Sequence, residues 1–262
     1  MDKYYHEFNT MNTSSICILG ACKNSEPFLP AVLANLDTVS SWFRETRVVI
    51  YENDSTDRTH EMLMEWAAVK QHNVHRQIIR ESNLNARFSD RAIRLAYIRN
   101  TLLCHIPPGF DYFMMVDLDD VFTRPVRKES FDSCFALKDK WDIVTANGYE
   151  GYYDIWPLRI PGVIEFDCWQ KYYELWRSKK YTQKEATYEA IEKFKDYMCA
   201  VKEPMYVDGA FNVAMISKVS IIRPCCRYSG LTDGVSCTEH YPFQKCLRSH
   251  GARILFNPDF RL

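Results

Sequence analysis

The chain has no apolar run long enough to cross a membrane as a helix. Its longest runs, such as Ile16 to Ala21 and Tyr112 to Val116, fall far short of the ~20 residues that a bilayer requires. The first residues, Met1-Asp-Lys-Tyr-Tyr-His-Glu7, offer neither a basic region nor an apolar core, so they do not read as a secretory signal. Charge of one sign is also missing. The formal net charge is -1, which argues against a broad nucleic-acid or anionic-membrane surface. No repeat, low-complexity tract or linker interrupts the sequence. Cysteine is plentiful, at ten, but no pair forms C-x-x-C and Cys225 and Cys226 are adjacent, which argues against a zinc site. Most of the cysteines are expected to be small buried hydrophobes, in a reducing compartment. A soluble, cytoplasmic chain, bacterial or virus-encoded in a host cell, is the matching expectation.

What is present points to an α/β domain. A length of 262 residues suffices for one full core. Aromatic residues reach 14%; a large aromatic core explains this, and so would stacking surface for sugars or bases. Ile16 to Ala21, Arg47 to Glu52, Val74 to Arg80 and Tyr112 to Asp117 read as strands. Between them, Pro27 to Phe43, a helix carrying Met62, Leu63, Trp66 and Val69, and Asp90 to His105 have helical spacing. Such alternation predicts a mostly parallel sheet with helices on both faces. A further strand is expected at Asp142 to Ala146, then one or two helices between Phe166 and Ala200. Strand-like segments follow at Tyr206 to Ile216 and at Ile221. A helix from Glu239 to His250 and a strand from Ala252 to Phe256 close the chain.

The apolar run Tyr112 to Val116 ends in Asp117-Leu-Asp-Asp120. Carboxylates at the C-terminal end of a buried strand project into the crevice where open α/β sheets bind ligands. Asp117 and Asp119 alternate along an extended backbone and point the same way. Such a pair suits a hard divalent ion that also holds substrate phosphates. A solvated acidic turn would give the same D-x-D by itself. Glu52-Asn-Asp-Ser-Thr-Asp57 ends the second strand, where acids can accept hydrogen bonds from a ribose or base; an Asx turn with a helix cap explains it too. Arg76, Arg80, Arg87, Arg91, Arg94 and Arg99 crowd the stretch before the acidic strand, and arginine suits bidentate contact with phosphate.

In this order, Glu52-Asn-Asp-Ser-Thr-Asp-Arg-Thr59, Arg91-Ala-Ile-Arg-Leu-Ala-Tyr-Ile-Arg-Asn100 and Met115-Val-Asp-Leu-Asp-Asp120 resemble the nucleotide-sugar half of GT-A-type glycosyltransferases. The sequence is most similar to the fungal capsule-associated mannosyltransferases and their relatives. Tyr153-Asp-Ile-Trp-Pro-Leu-Arg159, Val207-Asp-Gly-Ala-Phe-Asn-Val-Ala214, Cys237-Thr-Glu-His-Tyr241 and Phe256-Asn-Pro258 carry the likeness through the later half.

The resemblance implies a GT-A-like, Rossmann-like αβα sandwich with a mixed, mostly parallel central sheet. It would be one domain over 14–262, with a nucleotide-binding half at 14–120 and an acceptor-binding half at 121–262. It implies a metal-dependent transfer of a hexosyl or deoxyhexosyl group from a UDP- or GDP-linked sugar to a hydroxyl of a glycan or glycoprotein. Mn²⁺ or Mg²⁺ would sit with Asp117, Asp119 and His240. Glu52, Asp54, Arg91 and Asp117 would face the nucleotide; Trp156 and Arg159 would shape the sugar or acceptor pocket. Asp119 would act on the leaving diphosphate through the metal, and Glu239 or Asp208 would be the base in an inverting reaction. Glu239 and His240 open the last helix, where an acid is favoured and a histidine is less readily protonated; a plain helix cap is the alternative. Two rival readings stand: a haloacid dehalogenase-type phosphatase with Asp117 as nucleophile and Asp119 as acid, and a non-catalytic carbohydrate-binding domain on a degenerate transferase fold.

Overall fold

The computed structural model describes residues 10–262; the initial segment read for a signal lies outside them. Ten strands are described: β1 Ser15–Cys22, β2 Glu45–Asn53, β3 Val74–Glu81, β4 Tyr112–Asp117, β5 Ile143–Asn147, β6 Met205–Val207, β7 Ala214–Lys218, β8 Leu231–Thr232, β9 Val235–Ser236 and β10 Ile254–Arg261. The described helices of eight residues or more are α1 Leu29–Ser40, α2 Thr59–Ala68, α3 Arg91–Leu103, α4 Lys128–Phe135, α5 Cys168–Arg177, α6 Lys193–Ala200 and α7 His240–Ser249.

Eight strands form one sheet in the order β3-β2-β1-β4-β7-β5-β10-β6. The first four are parallel. β7 runs antiparallel between β4 and β5, and β6 closes the far edge antiparallel to β10. This is the mostly parallel sheet that the alternation of patterns predicts, mixed as the resemblance implies. β8 and β9 make a separate small hairpin.

The strands are apolar on both faces because helices cover both. Side chains sort by the two-residue period of a strand. Cys17, Leu19, Val49, Tyr51, Phe113 and Met115 face one way, against α3, α6 and α7. Ile16, Ile18, Val48, Ile50, Met114 and Val116 face the other, against α1, α2 and α4. Each such large apolar side chain, fully buried, contributes about 1.5–3 kcal/mol. Local sequence sets the helix starts. Pro30 lies in the first turn of α1, where its missing N–H costs nothing. Asp90 caps α3 by accepting the Ile93 N–H at 3.0 Å, and Asp167 caps α5 through the N–H groups of Trp169 and Gln170.

Three expectations need correction. Tyr206 to Ile216 is two strands, because the chain leaves the sheet between Val207 and Ala214. Ile221 ends a short 3-10 turn, Val219–Ile221. The cysteines are not all reduced: Cys226 and Cys246 are joined by a disulfide with their Cα atoms 5.3 Å apart. The helical rise of α7 brings Cys246 to the loop after β7, a proximity that sequence spacing does not show. Cys17, Cys22, Cys134, Cys168 and Cys237 are buried thiols, as expected, whereas Cys104, Cys199 and Cys225 are exposed. Among the described residues, no helix is long and apolar enough to cross a membrane.

Candidate active site

β1 and β4 end side by side, with Ala21 in register with Asp117. Beyond this end the backbone places Asp117 outward, Leu118 inward and Asp119 outward. Leu118 is buried, and a Cβ on Gly20 would lie 2.5 Å from its side chain. Glycine at position 20 thus makes room for Leu118, and Leu118 holds the two carboxylates on the open side. Asp119 caps the turn Asp120–Phe122, accepting the Val121 N–H at 3.4 Å.

The carboxylates open into a cleft of about 480 Å³. Asp154, Glu239 and His240 join them from the second half of the chain, and Arg91, Arg94 and Arg99 of α3 supply positive charge. Lys23, Asn53, Tyr153, Trp156 and Phe211 also line it. Gly230 closes the loop before α7 against the start of α3: a Cβ there would lie 2.3 Å from the backbone N of Ile93.

Arg99 is the charge centre. It is 4% exposed, donates Nε to Glu239 Oε1 at 2.8 Å and Nη2 to Asp117 Oδ1 at 3.0 Å, and stands over the Phe211 ring. Burial works against its charge, but Glu239 and Asp117 outweigh that and hold it protonated. Its charge does not offset the burial and mutual repulsion of the acids around it. Burial, then the charge of Asp117, pushes the Asp119 carboxyl up to about 6. Burial, then Asp117 and Glu239, pushes Asp154 up to about 8. His240 is driven the other way: burial, then Arg99, lowers its pKa well below the ordinary range. Its ring stacks on Phe211 at 3.7 Å and meets the edge of Tyr228. Neither ring nitrogen has a hydrogen-bond partner; Nε2 lies 3.5 Å from Glu239 Oε1. The Asp117 and Asp119 carboxylates, of the ligand type that hard divalent cations take, line the same cleft as this buried, unpartnered imidazole.

The cleft brings together Asp117, Asp119, Arg91, Arg94, Arg99, Trp156, Glu239 and His240 of the residues singled out in the sequence. Glu52, Asp54, Arg159 and Asp208 lie outside its lining. Glu52 is fully buried, accepts the Ser55 N–H at 3.0 Å, and lies 3.3 Å from Arg80 Nε. Asp54 accepts the N–H groups of Asn83 and Asn85 and so fastens the loop after β3. Arg159 pairs with Asp167 and packs on Tyr241 beside a neighbouring groove. Asp208 pairs with Arg248 at 2.6 Å.

Lys23, Asn53, Asp154 and Phe211 also line the cleft; the last three lie within the quoted motifs, which give them no role of their own. Asp154 had a signal, since it sits between Tyr153 and Trp156 in a stretch already read for its aromatic and basic residues. Asn212 positions it, accepting the N–H groups of Tyr153 and Asp154 at 3.1 and 3.2 Å.

No family model matches the sequence, and no curated protein matches it either. Solved structures do match. The mannosyltransferase PcManGT from Pyrobaculum calidifontis, in complex with GDP-Man and Mn²⁺, superposes with a TM-score of 0.53 at 16% identity, covering 94% of this chain and 55% of that one. S. aureus TarS 1-349 gives a TM-score of 0.50 at 14% identity, covering 94% and 58%. The fold is that of the GT-A glycosyltransferases. The chain spans a little over half the length of these two structures. In this GT-A sheet the cleft sits where open α/β sheets bind ligands, beyond the carboxyl ends of the parallel strands.

Proposed function

We propose that this chain is a metal-dependent glycosyltransferase. It moves a hexosyl or deoxyhexosyl group from a UDP- or GDP-linked sugar to a hydroxyl of a glycan or glycoprotein, in the manner of the capsule-associated mannosyltransferases it resembles. The observation that carries this reading is the meeting of Asp117, Asp119, Asp154, Glu239 and neutral His240 with three arginines in one cleft. The GDP-Man and Mn²⁺ of the Pyrobaculum calidifontis structure lend support.

The division of labour follows from charge. Asp117, Asp119 and His240 would hold Mn²⁺ or Mg²⁺, which when bound offsets the charge of the leaving diphosphate. Arg91 and Arg94 bind phosphate oxygens, and Asn53 reaches the nucleoside. Tyr153 and Trp156 wall the sugar and exclude water. Arg99 fixes Asp117 and Glu239 in place. In an inverting transfer the acceptor proton needs a carboxylate within hydrogen-bond reach. Asp154 fits better than Glu239, which Arg99 already engages, or Asp208, which pairs with Arg248. Residues 14–120 would serve the nucleotide, and 121–262 the acceptor.

A panel of UDP- and GDP-sugars, each with Mn²⁺ or EDTA, tests this reading by release of free nucleoside diphosphate. The expected result is cation-dependent release from one donor, raised by acceptor. A phosphatase would instead cleave a generic phosphomonoester and label Asp117. The ion pair of Asp117 with Arg99 suits a fixed ligand better than a nucleophile.

A further inference from the structure

At the end of α7 opposite the cleft, its last turn meets the loop after β7. Cys225 and Cys226 come from the loop; Cys246 and His250, four residues apart, come from the end of the helix. One donor atom from each of the four lies within 4.8 Å of every other. A disulfide requires only Cys226 and Cys246. Two further donors are gathered beside them: Cys225 Sγ is 3.9 Å from His250 Nε2, and Cys226 Sγ is 3.9 Å from His250 Nδ1. Zinc–sulfur bonds of ~2.3 Å and zinc–nitrogen bonds of ~2.0 Å place tetrahedral donors about 3.5–3.8 Å apart. Cys225 Sγ and His250 Nε2 stand close to that spacing, while the bonded Cys226 and Cys246 sulfurs would move apart to reach it.

We propose that Cys225, Cys226, Cys246 and His250 form a Zn²⁺ site when the Cys226–Cys246 bond is reduced. His250 Nδ1 lies 2.9 Å from the Cys246 carbonyl oxygen. Giving its N–H there leaves the Nε2 lone pair for metal, the arrangement in which ligating histidines are usually held. Cys225 and His250 are exposed and Cys246 is half-buried, so ion and reductant have access. Three thiolates and an imidazole bind Zn²⁺ with net charge -1, and Arg223 and Arg227 flank the cysteine pair in sequence. The adjacent pair Cys225-Cys226 read against a zinc site in the sequence because the other two ligands are remote.

The exchange balances. A dithiol gives two electrons and two protons to the Cys226–Cys246 bond and becomes a disulfide. Zn²⁺ then displaces one proton from each of three thiols. Overall, disulfide, dithiol, the Cys225 thiol and Zn²⁺ give the zinc tris-thiolate, the oxidised dithiol and three protons. Both forms join the same two segments. Tyr228, two residues from Cys226, packs on Phe243 and on the edge of His240.

Co²⁺ titration of the full chain, reduced with a phosphine and desalted, tests the proposal. One equivalent is expected to give the thiolate charge-transfer and visible bands of a tetrahedral site, bleached by one equivalent of Zn²⁺. The untreated, disulfide-bonded chain should give neither. Cys225→Ser and His250→Ala, both surface changes that spare the disulfide, should each weaken Zn²⁺ binding at least about tenfold. A reduced chain without the tetrahedral spectrum overturns the proposal. So does undiminished affinity in both variants, which would assign the metal to other cysteines.

Discussion

Arg99 and Glu239 lie 140 residues apart in sequence and 2.8 Å apart in space. With the second bond to Asp117, this pair fixes the start of α7 to the end of β4 through a side chain on α3. Removing one partner of a buried ion pair leaves the other charge uncompensated. Arg99→Met is therefore expected to cost about 3–5 kcal/mol, read as a lower urea midpoint. Mn²⁺ should restore part of the loss, since it neutralises the same carboxylates. A variant as stable as the parent would show that Arg99 does not carry this role.

Asp119→Asn separates chemistry from stability. The change removes a carboxyl whose ionisation the surroundings already oppose, so the metal-free variant should melt no earlier than the parent at pH 8. Turnover should fall at least ~100-fold, the scale of losing one electrostatic element of transition-state stabilisation. Nucleoside diphosphate release and thermal melting on the same samples check both halves.

The pH dependence of stability has a definite sign. Asp119 and Asp154 have folded-state values of about 6 and about 8, above the ordinary 3.8. Between 3.8 and those values the folded chain binds more protons than the unfolded one. Their contribution is complete below about pH 4 and is lost as pH rises through about 6 for Asp119 and about 8 for Asp154. For the metal-free protein, these two groups should lower the melting temperature between pH 5 and 8. Asp154→Asn should flatten the upper part of that fall, and Mn²⁺ should flatten all of it. A slope unchanged by the substitution would remove Asp154 as its source.

Gly20→Ala tests how the core aims the site. The added methyl meets Leu118 and is expected to cost about 1–3 kcal/mol by overpacking. Leu118→Ala in the same chain should return part of that cost. Independent, additive losses in a double-mutant cycle would separate the two positions.

The parallel half of the sheet was legible because buried strands write continuous apolar runs; Tyr112 to Asp117 is bounded as the pattern suggests. Asp117 and Asp119 were legible for the same reason, as polar residues interrupting such a run. The segment before β7 was not. Val213 takes a positive φ of 69°, and Asn212 turns inward to hold the backbone of Tyr153 and Asp154. Nothing periodic marks either act. Arg99 read as one of several arginines on a helix, since only the distant Glu239 distinguishes it. The Cys226–Cys246 bond likewise joins residues whose separation carries no spacing rule.

The reversal of β7 has a consequence for where this chain tolerates added length. Because β7 runs against β4, its entering loop, not its exit, lies at the cleft end: Ala214 pairs with Val116, while Lys218 pairs with Tyr112 at the opposite rim. Phe211 reaches the arginine and histidine from that entering loop. An insertion between Asp208 and Val213 would therefore land at the cleft, whereas one after Lys218 would emerge at the opposite rim of the sheet. For every parallel strand of the same sheet the rule is the other way round.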